Sequence, residues 1–295
     1  MDKELRDTNR KYHAESAEID AETLDRRRFI LSLSGSFAAL IAQGCGSRTK
    51  SEVETKTVLS TDDIIKNIPD EFNGAKIEKH SVEGATAVII HVADLHNDPA
   101  AADPQKIRNA SDLVQAENVA ILEMLMDNCK TNVVFKEVVT KDNKFILRKR
   151  IAEIQALHQA VETCTDATQK EKLGGKFMED IDELKYALGA AGFLAFQGKA
   201  QLEAAETTEG NSLTKEEQLD PAKKFDRREN IAINLALSNT ESAAKIIVYG
   251  ENHGFHQRIR EWNEKHPGQK CAHIKITPAI LHQWLRESGR FQENK

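Results

Sequence analysis

Two apolar stretches of this chain end in the same kind of tetrapeptide, and this repetition constrains the fold more than any other feature. Residues 88–92 run into Ala-Asp-Leu-His (93–96), and residues 245–249 run into Gly-Glu-Asn-His (250–253). Short β-branched runs predict buried strands, and ligands of parallel α/β sheets collect beyond the carboxyl ends of the strands. We therefore predict that two strand ends lie side by side. Their shared site would contain His96, His253, Asp94 and Glu251.

The remaining periodicity predicts an α/β fold, with a mostly parallel sheet flanked by helices. Its strands are predicted over residues 86–92, 133–139, 245–249 and 273–278. Helices are predicted over residues 61–66, 111–128, 141–169, 177–188, 225–237, 253–265 and 280–288, with Thr61 as the first cap. A break is predicted at 172–176, a small and apolar packing segment at 188–198, and an acidic surface excursion at 203–221. The stretch 86–139 predicts a strand, helix, strand unit that places Glu137 beside His96.

Composition and missing motifs exclude several classes of protein. The chain has 295 residues, a net charge of -6 and a pI of about 6.0, without a basic stripe. Such a balance argues against nucleic acid as a partner. The sequence contains neither the GxSxG elbow of serine α/β-hydrolases nor a P-loop, a strand-linked GxGxxG or HExxH. Four scattered cysteines without a CxxC pair indicate structural thiols, and their pairing stays open.

The first 45 residues resemble an export signal with a lipobox. Three arginines (26–28) precede a short apolar run, in the manner of a twin-arginine signal. Residues 42–45 then read Ala-Gln-Gly-Cys, which makes Cys45 the candidate for lipidation. Residues 46–60 form a polar tether, and residues 61–295 form a single α/β domain. This organisation predicts a membrane-anchored lipoprotein of the cell envelope, facing the periplasm or the outer surface.

Four features together, the two tetrapeptides, Glu137 and an arginine-led helix, resemble one superfamily. It includes TraB-type and Tiki-type proteins, ChaN-type haem-binding lipoproteins and erythromycin esterases. Ala93 to His96 is the alanine form of its GxxH motif, and Gly250 to His253 is the motif itself. Glu137 lies where that group has a glutamate, and residues 228–234 resemble its R(N/D)xxMAxN helix, with Ile231 in the methionine position. These motifs keep the group's order over residues 86–278.

This resemblance implies a site whose chemistry varies within the group. We expect a hydrolase of ester or peptide bonds, acting on a small molecule or a peptide. His96, Glu137 and His253 would hold a divalent metal or position a water, with Asp94 and Glu251 orienting the histidines and Arg228 binding an anion. The alternatives are a haem- or iron-binding lipoprotein without turnover and an inactive envelope binding protein. The oligomeric state stays open.

The other histidines carry less information. His91 lies within a predicted strand, which favours a structural role. His256 follows His253 by three residues, so it fits an additional ligand or a surface residue equally well. The following residues show no partner pattern and are treated as background: Asp98, His158, His266, His273 and His282.

Overall fold

The computed structural model describes residues 59–95, 104–211, 214 and 221–288. The predicted leader with Cys45, most of the tether, and His96 lie outside the described residues. Within the described ranges the chain folds into seven strands and eight helices. The strands are β1 Glu71–Phe72, β2 Ala75–His80, β3 Ala87–Asp94, β4 Val133–Thr140, β5 Gln201–Glu206, β6 Ala244–Gly250 and β7 Cys271–Thr277. The helices are α1 Thr61–Asn67, α2 Pro104–Cys129, α3 Lys144–Thr163, α4 Ala167–Phe196, α5 Thr208–Asn211, α6 Pro221–Ser238, α7 Phe255–Lys265 and α8 Ala279–Glu287.

All seven strands form one mixed sheet in the order β1-β2-β7-β3-β6-β4-β5. Strands β7, β3, β6, β4 and β5 are parallel, whereas β1 and β2 pair antiparallel at one edge. The predicted fold class, a mostly parallel sheet flanked by helices, is therefore confirmed. No helix in the described part of the chain is long and apolar enough to cross a membrane.

The central strands are mostly apolar because helices cover both faces of the sheet. Every residue of β3 and of β6 is buried. One face carries the odd-numbered strand residues and packs against α6 and α7. A second cluster joins Ala93 to Val114 of α2 and to Leu281 and Leu285 of α8. The core thus contains one cluster between the sheet, α6 and α7 and another between the end of β3, α2 and α8.

Several local predictions are wrong. The acidic segment predicted as a surface excursion begins with the edge strand β5, because the alternate apolar residues Leu202 and Ala204 pack inward. Helix α4 continues through the predicted break at 172–176, where Gly174 and Gly175 have open space around them. Ser60, and not Thr61, caps α1, since its Oγ accepts from the Asp63 N–H at 3.1 Å. Strands β3 and β4 are not neighbours, because β6 is inserted between them.

Candidate active site

The two strands that carry the tetrapeptides lie next to each other and end together. Asp94, the last residue of β3, is opposite Gly250, the last residue of β6. The Glu251 N–H donates to the Asp94 carbonyl at 3.1 Å. A tight turn follows β6, in which the His253 N–H donates to the Gly250 carbonyl at 3.2 Å. The turn places the His253 side chain beneath the start of α7, where it is 3% exposed.

Polar side chains from β4, β5, β6 and α6 surround His253 at this edge of the sheet. We call this group the His253 cluster. It consists of His253, Glu137, Glu206, Arg228, Glu229 and Tyr249.

Arg228 is the shared cation of two carboxylates in this cluster. Its Nη2 donates to Glu137 Oε1 at 2.6 Å, and its Nε donates to Glu206 Oε1 at 2.8 Å, with a second contact from Nη2 to the same oxygen. The Glu137 and Glu206 side chains are only 6% and 2% exposed. Buried carboxylates need such partners because desolvation of the charge is costly. Glu137 and Arg228, which were both predicted to lie at this strand edge, are therefore in direct contact. The anions that Arg228 binds here are carboxylates of the protein itself.

The backbone of β4 is irregular next to Glu137. Val138 has a φ of 72°, a conformation that β-branched residues rarely adopt. The register between β4 and β5 shifts between Lys136 and Thr140. Glu206 holds the irregular segment, since its Oε2 accepts from the Val138 N–H at 3.2 Å. Strain of this kind persists only where surrounding contacts impose it, and it is common at functional sites.

Burial and neighbouring charges fix the protonation states of Arg228 and Tyr249. Burial disfavours the charged guanidinium, but the carboxylates of Glu137 and Glu206 raise the pKa of Arg228. Burial, followed by the Glu206 charge, raises the pKa of Tyr249. Tyr249 therefore remains a phenol, and its hydroxyl donates to Glu206 at 2.7 Å.

His253 pairs with Glu229, a carboxylate on α6. The distance from His253 Nδ1 to Glu229 Oε1 is 3.1 Å, and both side chains are 3% exposed. An ionised carboxylate can only accept, so Nδ1 carries the proton and Nε2 of the neutral ring is free of it. Nε2 lies 3.9 Å from Glu137 Oε1. The backbone N–H of Gly254 holds the same Glu229 oxygen at 2.7 Å.

Asp94, predicted to orient a histidine, forms a buried ion pair on the other face of the sheet. The distance from its Oδ2 to Lys136 Nζ is 2.5 Å, and its Oδ1 accepts from Gln115 Nε2 at the same distance. Lys136 and Glu137 are consecutive in β4, so they point to opposite faces. The sheet itself separates Asp94 from the His253 cluster.

Gln115 also explains part of the small and apolar segment at 188–198. Its Oε1 accepts from the Ala190 N–H at 2.7 Å, where α4 is kinked at Gly189 with a φ of 58°. A Cβ on Gly189 would collide with this amide. The glycine thus permits a link from α4 through Gln115 to Asp94.

Glu251, the second acid predicted to orient a histidine, pairs with Lys275 of β7 instead. Its Oε1 lies 2.9 Å from Lys275 Nζ. The carboxylate beside His253 is Glu229, so the orienting role predicted for Glu251 is occupied by a residue of α6. Sequence separation hides this contact because the two partners are 24 positions apart in the chain.

A second group of histidines lies on the same face of the sheet, towards its antiparallel edge. His80 on β2, His256 on α7 and His273 on β7 each offer one ring nitrogen, and these nitrogens lie within 4.8 Å of one another. We call this group the histidine triad. It could hold a metal ion, and it differs from the predicted metal set of His96, Glu137 and His253. His256 therefore belongs with His80 and His273 rather than with His253.

Sequence reasoning assigned no role to several members of these two groups. Glu229 lies within the arginine-led helix motif, and the glutamate after Arg228 was the available signal. Glu206 lies in a segment that the sequence predicts to be a surface excursion. Tyr249 is predicted only to be part of a strand. His273 begins a predicted strand and was treated as background, and His80 lies in a polar stretch where no strand was predicted. Their register pairing in β2 and β7 brings them together.

Fold and site together define an α/β domain with a buried histidine and carboxylate cluster at the carboxyl edge of its parallel strands. Comparison of the chain with protein-family models, with curated proteins and with solved structures finds no match. The cluster's own contacts are the basis for its chemistry.

Proposed function

We propose that this protein is a hydrolase of ester or peptide bonds, with His253 as its general base. The observation that carries the proposal is the buried pair of His253 Nδ1 and Glu229 Oε1, 3.1 Å apart. A carboxylate in this position fixes the tautomer and the orientation of the ring, and it stabilises the imidazolium once a proton arrives. Three other charged side chains, from Glu137, Glu206 and Arg228, surround the ring at the strand ends, where parallel sheets bind ligands.

In the proposed reaction, His253 Nε2 accepts a proton from a water molecule as the water oxygen attacks the carbonyl carbon of the substrate. The tetrahedral intermediate then collapses, and the bond from carbon to the leaving oxygen or nitrogen breaks. The imidazolium returns its proton to the leaving group, so protons and electron pairs balance. Glu229 is a positioning residue in this scheme, because it acts through the ring and does not touch the substrate.

Glu137 and Arg228 have a supporting part in this proposal. Arg228 donates to Glu137 Oε1, and the same oxygen lies 3.9 Å from the base nitrogen. A negative charge at this distance favours protonation of Nε2 during the reaction. The same charge orders the water that His253 deprotonates.

The divalent metal predicted for His96, Glu137 and His253 does not fit the contacts of Glu137. Its Oε1 accepts from Arg228 at 2.6 Å, and its Oε2 accepts from the Gly250 N–H at 2.8 Å. An ion bound to Glu137 Oε1 and His253 would lie beside the Arg228 guanidinium, whose positive charge opposes it. We therefore propose a route in which the histidine, and not a metal at this position, activates the water.

The test is hydrolysis by the purified full chain, with p-nitrophenyl esters and fluorogenic peptides as probes. We expect turnover that falls by at least about 100-fold in His253→Ala, since positioned proton transfer contributes roughly 10²–10⁴-fold. The matched control is His282→Ala on α8, which should keep the wild-type rate. Glu229→Gln should lower the rate and displace its pH profile, a result that a purely structural role would not give.

Three results would contradict this proposal. Folded wild-type protein could cleave none of the probes, or His253→Ala could cleave them as fast as wild type. A Soret absorption band in the purified protein that disappears in His253→Ala would point instead to haem binding, the predicted alternative.

We also propose that the protein is exported and anchored by a lipid on Cys45. The support is the arginine-led leader and the residues 42–45 that end at this cysteine. Expressed in a bacterium with labelled fatty acid, the wild-type protein should incorporate the label and shorten by the leader. Cys45→Ala should do neither. Equal labelling of both proteins would overturn the lipid anchor.

A further inference from the structure

The histidine triad joins three elements that are distant in sequence. His80 is the last residue of β2 and is opposite His273 in the antiparallel register with β7. His256 lies in the first turn of α7, which packs over this face of the sheet. The ring centroids of His80 and His256 are 4.0 Å apart, and those of His256 and His273 are 5.8 Å apart.

His273 is the member that points to a ligand. The residue is only 2% exposed, yet neither of its ring nitrogens has a hydrogen-bond partner among the described residues. Buried polar atoms are almost always satisfied, so an imidazole without any partner requires an explanation. Its nearest ring neighbours are the imidazoles of His80 and His256, both of which are exposed. The His273 ring therefore lies at the buried base of a small group of imidazoles whose other two members face solvent.

We infer that His80, His256 and His273 bind one Zn²⁺ ion, with an exchangeable water in the fourth position. Neutral imidazoles are ligands that Zn²⁺ prefers, whereas Mg²⁺ and Ca²⁺ require oxygen ligands. A Zn–N distance of ~2.0–2.1 Å places tetrahedral nitrogens ~3.3 Å apart. The present nitrogens lie within 4.8 Å of one another, so they close on the ion by about 1 Å of side-chain movement at the two exposed residues.

The surroundings leave the site open to solvent. An open depression of about 460 Å³ reaches His256 and continues along the outer side of α7. The charges that act on the triad have both signs: Glu78 favours a cation, whereas Arg260 and Lys275 oppose one. Lys275 is compensated by Glu251 at 2.9 Å. Direct ligation by three nitrogens, and not a negative field, is thus the source of the affinity.

This site is distinct from the His253 cluster, because no residue is shared between them. A bound ion would connect β2, β7 and the first turn of α7 by coordinate bonds. It would therefore fix the antiparallel strand β2 against the parallel part of the sheet. Metal binding of this kind adds its free energy to folding.

The experiment measures Zn²⁺ binding to the full chain after removal of metal with a chelator, by competition with a chromophoric chelator. We expect one high-affinity Zn²⁺ per chain. Mutation of a residue that only hydrogen-bonds to a metal ligand weakens metal affinity by about 10–100-fold. His80→Ala and His256→Ala each remove a ligand itself, so they should weaken Zn²⁺ binding by at least that factor. Both residues are exposed, so these variants should fold. His253→Ala and His282→Ala are the matched controls and should bind Zn²⁺ as wild type does.

Cobalt gives a second readout that distinguishes this site from adventitious binding. Co²⁺ in the triad should show the d–d absorption of a tetrahedral ion without the charge-transfer band of a thiolate ligand. Wild-type protein that binds no Zn²⁺, or binding that survives both His80→Ala and His256→Ala, would overturn the inference. Binding lost in His253→Ala and retained in His256→Ala would also overturn it, because the ion would then belong to the other cluster.

Discussion

The His253 cluster and the histidine triad both lie at the start of α7, yet the side chains around their imidazoles differ. His253 and His256 are only three residues apart in sequence. The first is buried and pairs with a carboxylate at 3.1 Å, whereas the second is exposed and has other imidazoles as its neighbours. The difference arises because α7 begins at Phe255, so His253 belongs to the turn before the helix and not to its surface.

Different partners imply different chemistry for the same side chain. A carboxylate fixes the proton on one ring nitrogen and raises the basicity of the other, which suits proton transfer. Imidazoles grouped without a carboxylate retain free lone pairs, which suits a transition metal. Burial also separates the two groups, since the His253 side chain is 3% exposed, whereas His80 and His256 of the triad are exposed.

The largest expected effect is a loss in the free energy of unfolding when Arg228, the cation of the His253 cluster, is replaced. Arg228→Met leaves Glu137 and Glu206 buried without their guanidinium, and breaking such pairs costs roughly 3–5 kcal/mol. Urea unfolding at pH 7 measures this loss. Arg260→Met, an exposed change on α7, is the control and should stay within ~0.5 kcal/mol of wild type. Equal and small effects of both changes would show that the cluster's ion pairs contribute little.

A second prediction concerns His91, which lies between the two groups because β3 separates β6 from β7. Burial, followed by the Lys275 charge, lowers the pKa of His91 to about 3, and its Nε2 lies 3.1 Å from the Tyr249 carbonyl oxygen. As pH falls below ~6.5, the unfolded chain binds a proton that the folded chain refuses, so stability decreases. Between pH 7 and pH 5 this one group should cost about 2 kcal/mol.

The check on His91 is urea unfolding at pH 7 and pH 5 for wild type and His91→Gln. The glutamine amide can still donate to the Tyr249 carbonyl but does not titrate. Between pH 7 and pH 5, His91→Gln should lose less stability than wild type, and the difference should equal the His91 contribution. His282→Gln should lose as much stability as wild type. Identical losses in all three proteins would contradict a neutral, buried His91.

The strand order and the register explain which parts of this site could be predicted from the sequence. Repeated tetrapeptides predicted correctly that β3 and β6 belong to a mostly parallel sheet, because continuous β-branched runs are a local signal. Glu137 and Arg228 are in contact, and their motif positions indicated the same edge of the sheet. Each of these features has a signal in its own short stretch of sequence, although Glu137 and Arg228 themselves are 91 residues apart.

Pairings across elements could not be read in the same way. Glu251 and Glu229 both lie near His253 in space or sequence, and only the packing of α6 decides between them. Asp94 follows the same strand-end pattern as Glu251, but the pleat directs it to Lys136 on the other face. The histidine triad depends on the antiparallel register of β2 with β7, and β2 itself was missed because its sequence is mostly polar.

Tyr249 gives a smaller effect within the His253 cluster. Tyr249→Phe removes the hydroxyl that donates to Glu206 at 2.7 Å but leaves the Arg228 contact in place. A single lost hydrogen bond of this kind costs about 1 kcal/mol. Urea unfolding should show this decrease, whereas Tyr186→Phe, an exposed change on α4, should show none. A loss as large as that of Arg228→Met would mean that the phenol, and not the guanidinium, holds the cluster together.

The smallest effect is expected at the histidine triad without metal. His80 and His256 are exposed, so their replacement by alanine removes little packing and should change the free energy of unfolding by less than ~0.5 kcal/mol. Zn²⁺ at 100 times its dissociation constant should then stabilise wild type by about 2.7 kcal/mol and leave both variants unchanged. Urea unfolding with and without Zn²⁺ separates these terms. A loss above 1 kcal/mol in the metal-free variants would assign the triad a packing role like that of the His253 cluster, because the cost would then come from contacts that exist before any ion binds.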